Sequence, residues 1–240
     1  MIYPIVIYGS QTLRNPSENI APDYPDLEKL VEDMFLTLGE ADGVGLAAPQ
    51  IGKNIRLFVV DCTPWGEDHP ELADYRRAFI NAEIYERSEE TSLFNEGCLS
   101  LPGLHEDVRR PVSIRMRYVD EKFVEHDEEF TGLPARVIQH EYDHIEGKVF
   151  TDRLSPLRRN LLKSKLQRLA GGKYRCSYKT KCTCRIGQRA AEFRCALFFS
   201  GAAVGSDIGI FQERDAELRR NGTPDRTPFS VRSPQVSYES

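Results

Sequence analysis

The segment QHEYDHIEG, residues 139–147, limits the structure of this chain more than any other part of the sequence. It places His140 and His144 four residues apart, with Glu141 directly after the first histidine. Residues four apart lie on the same face of an α-helix, so both imidazoles can bind one metal ion. Glu141 lies about 100° around the helix from His140, close enough to reach a water molecule on that ion. The pattern therefore predicts a helix that carries a hydrolytic metal site.

The flanking residues support a helix around this pattern. Pro134 lies near its start and Gly147 at its end, positions that suit both residue types. The apolar residues of the segment recur at helical spacing: Leu133, Val137, Ile138, Tyr142 and Ile145. The ordinary alternative is that each histidine is a surface residue or a hydrogen-bonded core residue.

A third metal ligand is not found downstream of the two histidines. Phe150 occupies the position of the third histidine in the metzincin pattern, and no Asp or Glu lies between Arg153 and Ala191. Upstream, the segment NEGCLSLPG, residues 95–103, places Cys98 in a glycine-bounded turn. A thiolate and two imidazoles would leave a fourth position open for water. A single cysteine is more often a small buried residue, so Cys98 gains weight only together with other segments.

A glycine-rich segment, DGVGLAAPQIG at residues 42–52, supplies a further polar group. Gly43 and Gly45 permit the close approach of a substrate backbone, and Gln50 can donate an amide hydrogen bond. A plain turn after a helix is the ordinary interpretation of such a run. The combination of the three segments favours a catalytic site.

Residues 1–175 are predicted to form a globular domain of the α+β class. Mixed, largely antiparallel β-sheets are expected to pack around the central metal-binding α-helix, with an N-terminal helix and a basic C-terminal helix. The N-terminal helix is predicted over residues 26–41 and the basic helix over residues 155–170. Strands are predicted in the β-branched and aromatic segments at residues 55–61, 78–86, 112–120 and 122–130.

Residues 176–240 are expected to form a C-terminal extension that is disordered or weakly structured. All nine lysines of the chain lie at or before Lys181, whereas the last 59 residues contain eight arginines. Clusters of Gly, Ser and Pro, as in NGTPDRTPFSVRSPQ, accompany a loss of periodicity. The abrupt change in basic residues also raises the alternative of a shifted reading frame after Cys182.

Charge and hydropathy narrow the functional classes. The 32 Lys and Arg residues against 37 Asp and Glu residues give a net charge of -5, which argues against a protein that wraps DNA. No apolar run approaches the roughly 20 residues of a membrane span, and the N-terminus lacks the features of a secretory signal. We therefore expect a cytoplasmic protein without a membrane or DNA partner, whose six cysteines are thiols or metal ligands.

Three segments, GVGLAAPQ, EGCLS and QHEYDH, resemble in order and spacing the signature motifs of the bacterial peptide deformylase family. The resemblance covers roughly residues 1–180. It implies that Cys98, His140 and His144 bind one divalent metal ion, natively iron(II), with zinc, nickel or cobalt able to replace it. It also implies the catalytic groups, which are Glu141 as general base and acid, and Gln50 with the backbone N–H of Leu99 as the oxyanion hole.

The reaction implied by the resemblance removes the N-formyl group from the N-terminal methionine of newly synthesised proteins and releases formate. The N-formylmethionyl nascent polypeptide would lie as an added strand along the edge formed by Val44 and Gly45. The substrate-binding residues are then expected to be Gly43, Val44, Gly45, Leu133 and Val137. Of these, Val44, Leu133 and Val137 are expected to form the methionine pocket.

Further contacts are predicted around this site. Asp143 is expected to pair with Arg110, which would tie the cysteine segment to the histidine helix; a solvated surface pair is the alternative. Glu96 is expected to hold the cysteine turn by accepting hydrogen bonds. The basic helix at residues 155–170 is a candidate for ribosome contact through rRNA phosphates. Two other functions stay open: another metalloamidase or peptidase with a Cys-His-His site, and a non-catalytic homologue that binds ribosomes or peptides.

Overall fold

A five-stranded antiparallel sheet forms the centre of the fold. The structure, a computed structural model, describes residues 1–182, and predictions that fall on residues 183–240 lie outside this range. The described part has three α-helices: α1 at Leu27–Glu40, α2 at Gly132–Ile145 and α3 at Pro156–Ala170. Its strands are β1 (Ile5–Val6), β2 (Gly45–Ala47), β3 (Leu57–Asp61), β4 (Arg76–Arg87), β5 (Thr91–Glu96), β6 (Glu106–Pro111), β7 (Ser113–Val119), β8 (Glu125–Thr131) and β9 (Thr180–Lys181).

The five strands of the large sheet are arranged in the order β2-β3-β4-β7-β8, and every neighbouring pair is antiparallel. β5 and β6 form a separate antiparallel hairpin, and β1 pairs with β9 in parallel. In the large sheet, Phe58 lies opposite Phe79, and their rings stack with centroids 4.9 Å apart. The predicted α+β class with mixed, largely antiparallel sheets is confirmed.

Helices cover both faces of the large sheet. Alternate residues of a strand point to opposite faces, and in β3 Phe58 and Val60 belong to the cluster that includes α2, whereas Leu57 and Val59 belong to the cluster that includes α1. All four side chains are fully buried. Residues 57–60 of β3 are a continuous apolar run because neither face of the strand meets water there. α2, which carries both histidines, is therefore a central helix, as predicted.

A narrow apolar stripe anchors the basic helix α3. Three of its leucines are buried in a cluster with the segment after Cys98 and the segment after α2. The members of this cluster include Leu101, Phe150, Leu162, Leu166 and Leu169. The other face of α3 is exposed and carries most of its Lys and Arg residues. No helix within residues 1–182 combines the length and apolar character that a membrane crossing requires.

The first residues of the predicted C-terminal extension, 176–182, lie against the N-terminal strand. They contain β9, which pairs with β1. The backbone N–H of Ile5 donates a hydrogen bond of 2.8 Å to the carbonyl of Lys179. The rest of the predicted extension lies outside the described residues.

Candidate metal centre

The structure brings Cys98, His140 and His144 together. One potential ligand atom from each residue lies within 4.8 Å of the other two, and Cys98 Sγ is 3.2 Å from His144 Nε2. Bonds of about 2.0 to 2.3 Å to a tetrahedral ion place its ligand atoms roughly 3.3 to 3.8 Å apart. The three ligand atoms are near this spacing, so the residues form a candidate site for a single metal ion, with one coordination position left for water.

Helix α2 provides both histidines from one face, as the four-residue spacing predicts. Their ring centroids are 5.3 Å apart. His140 Nδ1 lies 2.9 Å from Glu96 Oε2, so the carboxylate favours the proton on Nδ1 and leaves Nε2 for a metal. Burial, followed by the charge of His140, lowers the pKa of His144 well below its usual range. His144 is thereby kept neutral, which is the form that binds metals.

Cys98 begins a tight turn shortly after β5. The N–H of Leu101 donates a hydrogen bond of 2.9 Å to the carbonyl of Cys98, which closes a four-residue β-turn, here called the cysteine turn (Cys98–Leu101). The carbonyl of Ser100 accepts a hydrogen bond of 2.8 Å from the N–H of Tyr8. Leu99, the predicted backbone donor, is the second residue of this turn and directly follows the cysteine.

Glu96, two residues before Cys98, connects the cysteine turn to α2. Its buried carboxylate accepts hydrogen bonds of 2.7 and 2.9 Å from Arg110 and one of 3.1 Å from Arg136. Burial alone would raise the pKa of Glu96, but the hydrogen bonds and charges of Arg110 and His140 lower it well below its usual range. Glu96 is therefore an ionised carboxylate that orients His140, a contact that the sequence reasoning did not assign to it.

The predicted pair of Arg110 and Asp143 is confirmed, and it lies in the interior. Arg110 Nη1 donates to Asp143 Oδ2 at 2.7 Å, and both side chains are 2% exposed. Asp143 also pairs with Arg153. The alternative of a solvated surface pair is wrong. Because Arg110 binds both Glu96 and Asp143, one guanidinium links the cysteine turn to the histidine helix.

Glu141 directly follows the candidate ligand His140, and its side chain is almost fully buried. Its Oε2 has no hydrogen-bond partner among residues 1–182. Its Oε1 faces Gly45, where an added Cβ atom would lie only 2.4 Å away. Burial raises the pKa of Glu141 to about 7. A carboxyl group that titrates near neutral pH can both take and return a proton.

Gln50 reaches the same site from the glycine-rich segment. Its Oε1 accepts a hydrogen bond of 2.8 Å from the N–H of Ala47, which fixes the orientation of the amide. Its Nε2 is then 3.6 Å from Cys98 Sγ and 3.3 Å from Ser100 Oγ. The amide donor is therefore directed at the region around Cys98.

The residues predicted to bind substrate surround the outer edge of the large sheet. β2 is the last strand of that sheet, and Val44 directly precedes it. A Cβ atom at Gly45 would lie 2.8 Å from Val137 Cγ1, so Val137 borders this edge. Leu133, one turn earlier in α2, is partly buried against the same core. A Cβ atom at Gly43 would meet side chains of α1 and of the cysteine turn at 2.7 and 3.1 Å.

Residues 2–160 match the family model described as polypeptide deformylase, and the match covers more than half of the chain. The chain belongs to the polypeptide deformylase family. Two bacterial proteins that are both named peptide deformylase are similar to this chain. The one from Christiangramia forsetii is 46% identical over 188 residues, with 75% of this chain and 96% of the relative covered. The one from Flavobacterium johnsoniae is 47% identical over 188 residues, with the same coverage of 75% and 96%.

Solved structures of polypeptide deformylases share this fold. Peptide deformylase 1B of Arabidopsis thaliana, in complex with an inhibitor, has a TM-score of 0.64 and 34% identity, covering 70% of this chain and 91% of that chain. The peptide deformylase of Legionella pneumophila has a TM-score of 0.62 and 35% identity, covering 70% and 95%. The match to the family model ends at residue 160, before the segment that contains β9.

Proposed function

We propose that this member of the polypeptide deformylase family is a metal-dependent hydrolase that removes the N-formyl group from the N-terminal methionine of newly synthesised proteins and releases formate. The observation that carries the proposal is the position of Glu141. Glu141 directly follows His140, one of the proposed ligands, in α2. Its buried carboxyl group faces the β2 edge, and one of the two carboxyl oxygens has no hydrogen-bond partner among residues 1–182. The names of the bacterial relatives agree with this activity.

Cys98, His140 and His144 would hold one divalent metal ion. The neutral state of His144 and the orientation of His140 by Glu96 suit this role. We take iron(II) as the ion from the family resemblance, and the same sulfur and nitrogen donors also suit zinc, nickel and cobalt. When bound, such an ion polarises the formyl carbonyl and lowers the pKa of water to about 7.

Glu141 moves the proton in this reaction. Its carboxylate takes a proton from the water molecule that attacks the formyl carbon, and the resulting acid returns the proton to the departing amine of methionine. The bond between the formyl carbon and the methionine nitrogen breaks, and formate is the second product. The raised pKa of about 7 makes both forms of Glu141 accessible near neutral pH.

Two N–H donors would bind the negative charge that develops on the formyl oxygen. Gln50 Nε2 lies 3.6 Å from Cys98 Sγ, and the backbone N–H of Leu99 belongs to the residue directly after Cys98, so the two proposed donors come from different segments. The bond from the N–H of Ala47 to Gln50 Oε1 holds the amide in place before substrate binds. Donors that are already oriented stabilise the transition state without reorganisation.

The nascent chain would bind in an extended conformation along β2. Gly43, Val44 and Gly45 supply backbone groups at this edge, in the manner of strand addition. The missing side chain at Gly45 lets the carboxyl group of Glu141 pack directly against this edge, next to the proposed position of the substrate. Val44, Leu133 and Val137 would contact the methionine side chain, because they lie where β2 meets α2.

We propose that the protein works in the cytoplasm and close to ribosomes, where nascent chains emerge. The exposed face of α3 carries Arg159, Lys163 and Lys165, which we propose contact rRNA phosphates. Replacing these three residues by Ala should abolish co-sedimentation with ribosomes at low salt. Replacing Arg115 and Arg117 of β7, which are exposed and pair with Asp127, is the matched control and should change nothing. Unchanged co-sedimentation of the α3 variant would refute the contact.

The activity itself is tested by formate release from a formyl-Met peptide, using protein purified without oxygen to keep iron(II) reduced. Acetyl-Met peptide and an unblocked peptide with internal bonds serve as comparison substrates. We expect turnover of the formyl substrate alone. Cleavage of internal bonds would indicate a peptidase, and binding of peptides without formate release would indicate a non-catalytic homologue.

A further inference from the structure

A hydrogen bond joins the C-terminal segment to the predicted oxyanion donor. The hydroxyl group of Tyr178 donates to the carbonyl of Leu99 at 2.7 Å. Leu99 and Ser100 are the two central residues of the cysteine turn, so this carbonyl belongs to the central peptide of the turn. Tyr178 follows the part of the chain that matches the family model, residues 2–160.

The central peptide is the part of a β-turn that changes orientation most easily. Type I and type II turns differ mainly in its direction, with about 150° between their ψ angles at the second residue. Other hydrogen bonds hold the ends of the cysteine turn. The N–H of Leu101 donates to the carbonyl of Cys98 at 2.9 Å, and the N–H of Tyr8 donates to the carbonyl of Ser100 at 2.8 Å. The carbonyl of Leu99 lies between these two carbonyls along the turn, and it accepts its hydrogen bond from the Tyr178 hydroxyl.

The segment that carries Tyr178 is itself fixed in place. Strand β9 pairs with β1, and the hydroxyl of Tyr174 donates to Thr180 Oγ1 at 2.9 Å, which closes the segment on itself. The rings of Tyr174 and Tyr178 pack against the core cluster that includes α1. Burial raises the pKa of Tyr178, so its hydroxyl remains a donor throughout the working pH range.

The N–H of Leu99 is available for a ligand. Within residues 1–182 it donates to no protein acceptor, although its neighbours in the turn are held by the bonds described above. This N–H belongs to the peptide that joins Cys98 to Leu99, and it is connected to the central peptide through the Leu99 Cα atom. A bond that holds the Leu99 carbonyl therefore fixes one side of this Cα atom and restricts the positions open to the N–H on its other side.

We propose that Tyr178 is a positioning residue for deformylation: by holding the Leu99 carbonyl, it fixes the cysteine turn and aims the Leu99 N–H at the developing oxyanion. The proposal rests on the proposed function, because the oxyanion forms only if the formyl group is hydrolysed. It assigns a catalytic contribution to a segment outside the three sequence motifs.

Tyr178→Phe removes the hydroxyl and keeps the ring, and it is compared with the wild type as metal-loaded holoenzymes. We expect kcat for a formyl-Met peptide to fall on the order of tenfold, less than the roughly 100- to 1,000-fold loss from removing an oxyanion donor. KM and metal content should stay unchanged, since neither substrate binding nor the ligands are altered. Tyr85→Phe is the matched control: it removes a hydroxyl of β4 that donates to Asp127 of β8, outside the segment of Tyr178, and its kcat should equal that of the wild type.

Amide hydrogen exchange on the same holoenzymes tests the positioning without reference to activity. The Leu101 amide, whose bond to the Cys98 carbonyl closes the turn, should exchange faster in Tyr178→Phe than in the wild type, and at the wild-type rate in Tyr85→Phe. Wild-type kcat in Tyr178→Phe, a loss confined to KM or metal content, or unchanged exchange would each overturn the proposal. If the wild type releases no formate while the exchange difference persists, the proposed function fails and the positioning of the turn stands.

Discussion

Arg110 and Asp143 are joined by a hydrogen bond of 2.7 Å in the protein interior, where each side chain is only 2% exposed. The same guanidinium binds Glu96, whose carboxylate also accepts from His140. Two segments that are distant in the sequence, the cysteine turn and α2, are thus connected by one buried ion network. The positions of the proposed metal ligands therefore depend on charged side chains that are not themselves proposed ligands.

Asp143→Ala should destabilise the protein and weaken metal retention. It leaves Arg110 buried with fewer partners, and breaking a buried ion pair costs about 3 to 5 kcal/mol. Denaturant unfolding and metal analysis after dialysis measure the two effects. The control is Asp127→Ala in the exposed pair with Arg117, which should leave both quantities unchanged. Unchanged metal content in Asp143→Ala would remove the proposed link between the network and the site.

The stabilising effect of Asp143 should disappear in acid. Burial alone would raise the pKa of Asp143, but Arg110 and Arg153 lower it overall. A carboxylate with a lowered folded pKa stabilises the protein above its unfolded pKa of about 3.9, and this effect is lost as the pH falls through the folded value. For metal-free protein, the difference in unfolding free energy between wild type and Asp143→Asn should be constant down to about pH 4 and shrink below it. A difference that already shrinks above pH 5 would contradict this assignment.

Gly45→Ala should reduce catalysis while leaving the metal in place. The new Cβ would lie 2.4 Å from Glu141 Oε1 and 2.8 Å from Val137 Cγ1, so the carboxylate must shift. A misplacement of about 1 Å near the reacting atoms can cost on the order of 100-fold in rate. Gly39→Ala in α1 is the control, because nothing lies within 4 Å of its new Cβ. It should keep full activity; a Gly45→Ala enzyme as active as this control would contradict the inferred closeness of Glu141 to the substrate edge.

Gln50→Glu separates the two functions of the Gln50 amide. The new carboxylate can still accept from the N–H of Ala47, as Gln50 Oε1 does at 2.8 Å, but it offers no N–H₂ donor. We expect kcat to fall roughly 100- to 1,000-fold, as for other lost oxyanion donors. Steady-state kinetics measure the fall in kcat, and circular dichroism shows whether the variant is folded like the wild type. A fall in kcat below threefold would show that Gln50 does not stabilise the transition state.

Local patterns were sufficient to predict the helix that carries both histidines and several strands of the large sheet. His140, Glu141 and His144 lie within one helical segment, so their relation follows from helix geometry. The apolar run of β3 was recognisable because both of its faces are buried. In both cases the pattern that predicts the structure lies within a few neighbouring residues of the sequence.

The β5–β6 hairpin was not predicted, and the reason is physical. In β6 the inward positions are Glu106, Val108 and Arg110, so two of the three buried side chains are charged. Their partners, including Glu96 for Arg110, lie elsewhere in the sequence. A strand that buries paired charges lacks the alternation of apolar and polar residues on which strand prediction depends. The role of Glu96 in orienting His140 was missed for the same reason.

The role of Glu141 is tested by one measurement, the rate of formate release by a Glu141→Gln enzyme whose metal content equals that of the wild type. The amide keeps the size of the side chain but cannot take the proton from water. Since general acid–base groups contribute about 100- to 10,000-fold, kcat should fall by a factor in that range. Wild-type kcat in the fully metallated Glu141→Gln enzyme would contradict the proposed mechanism.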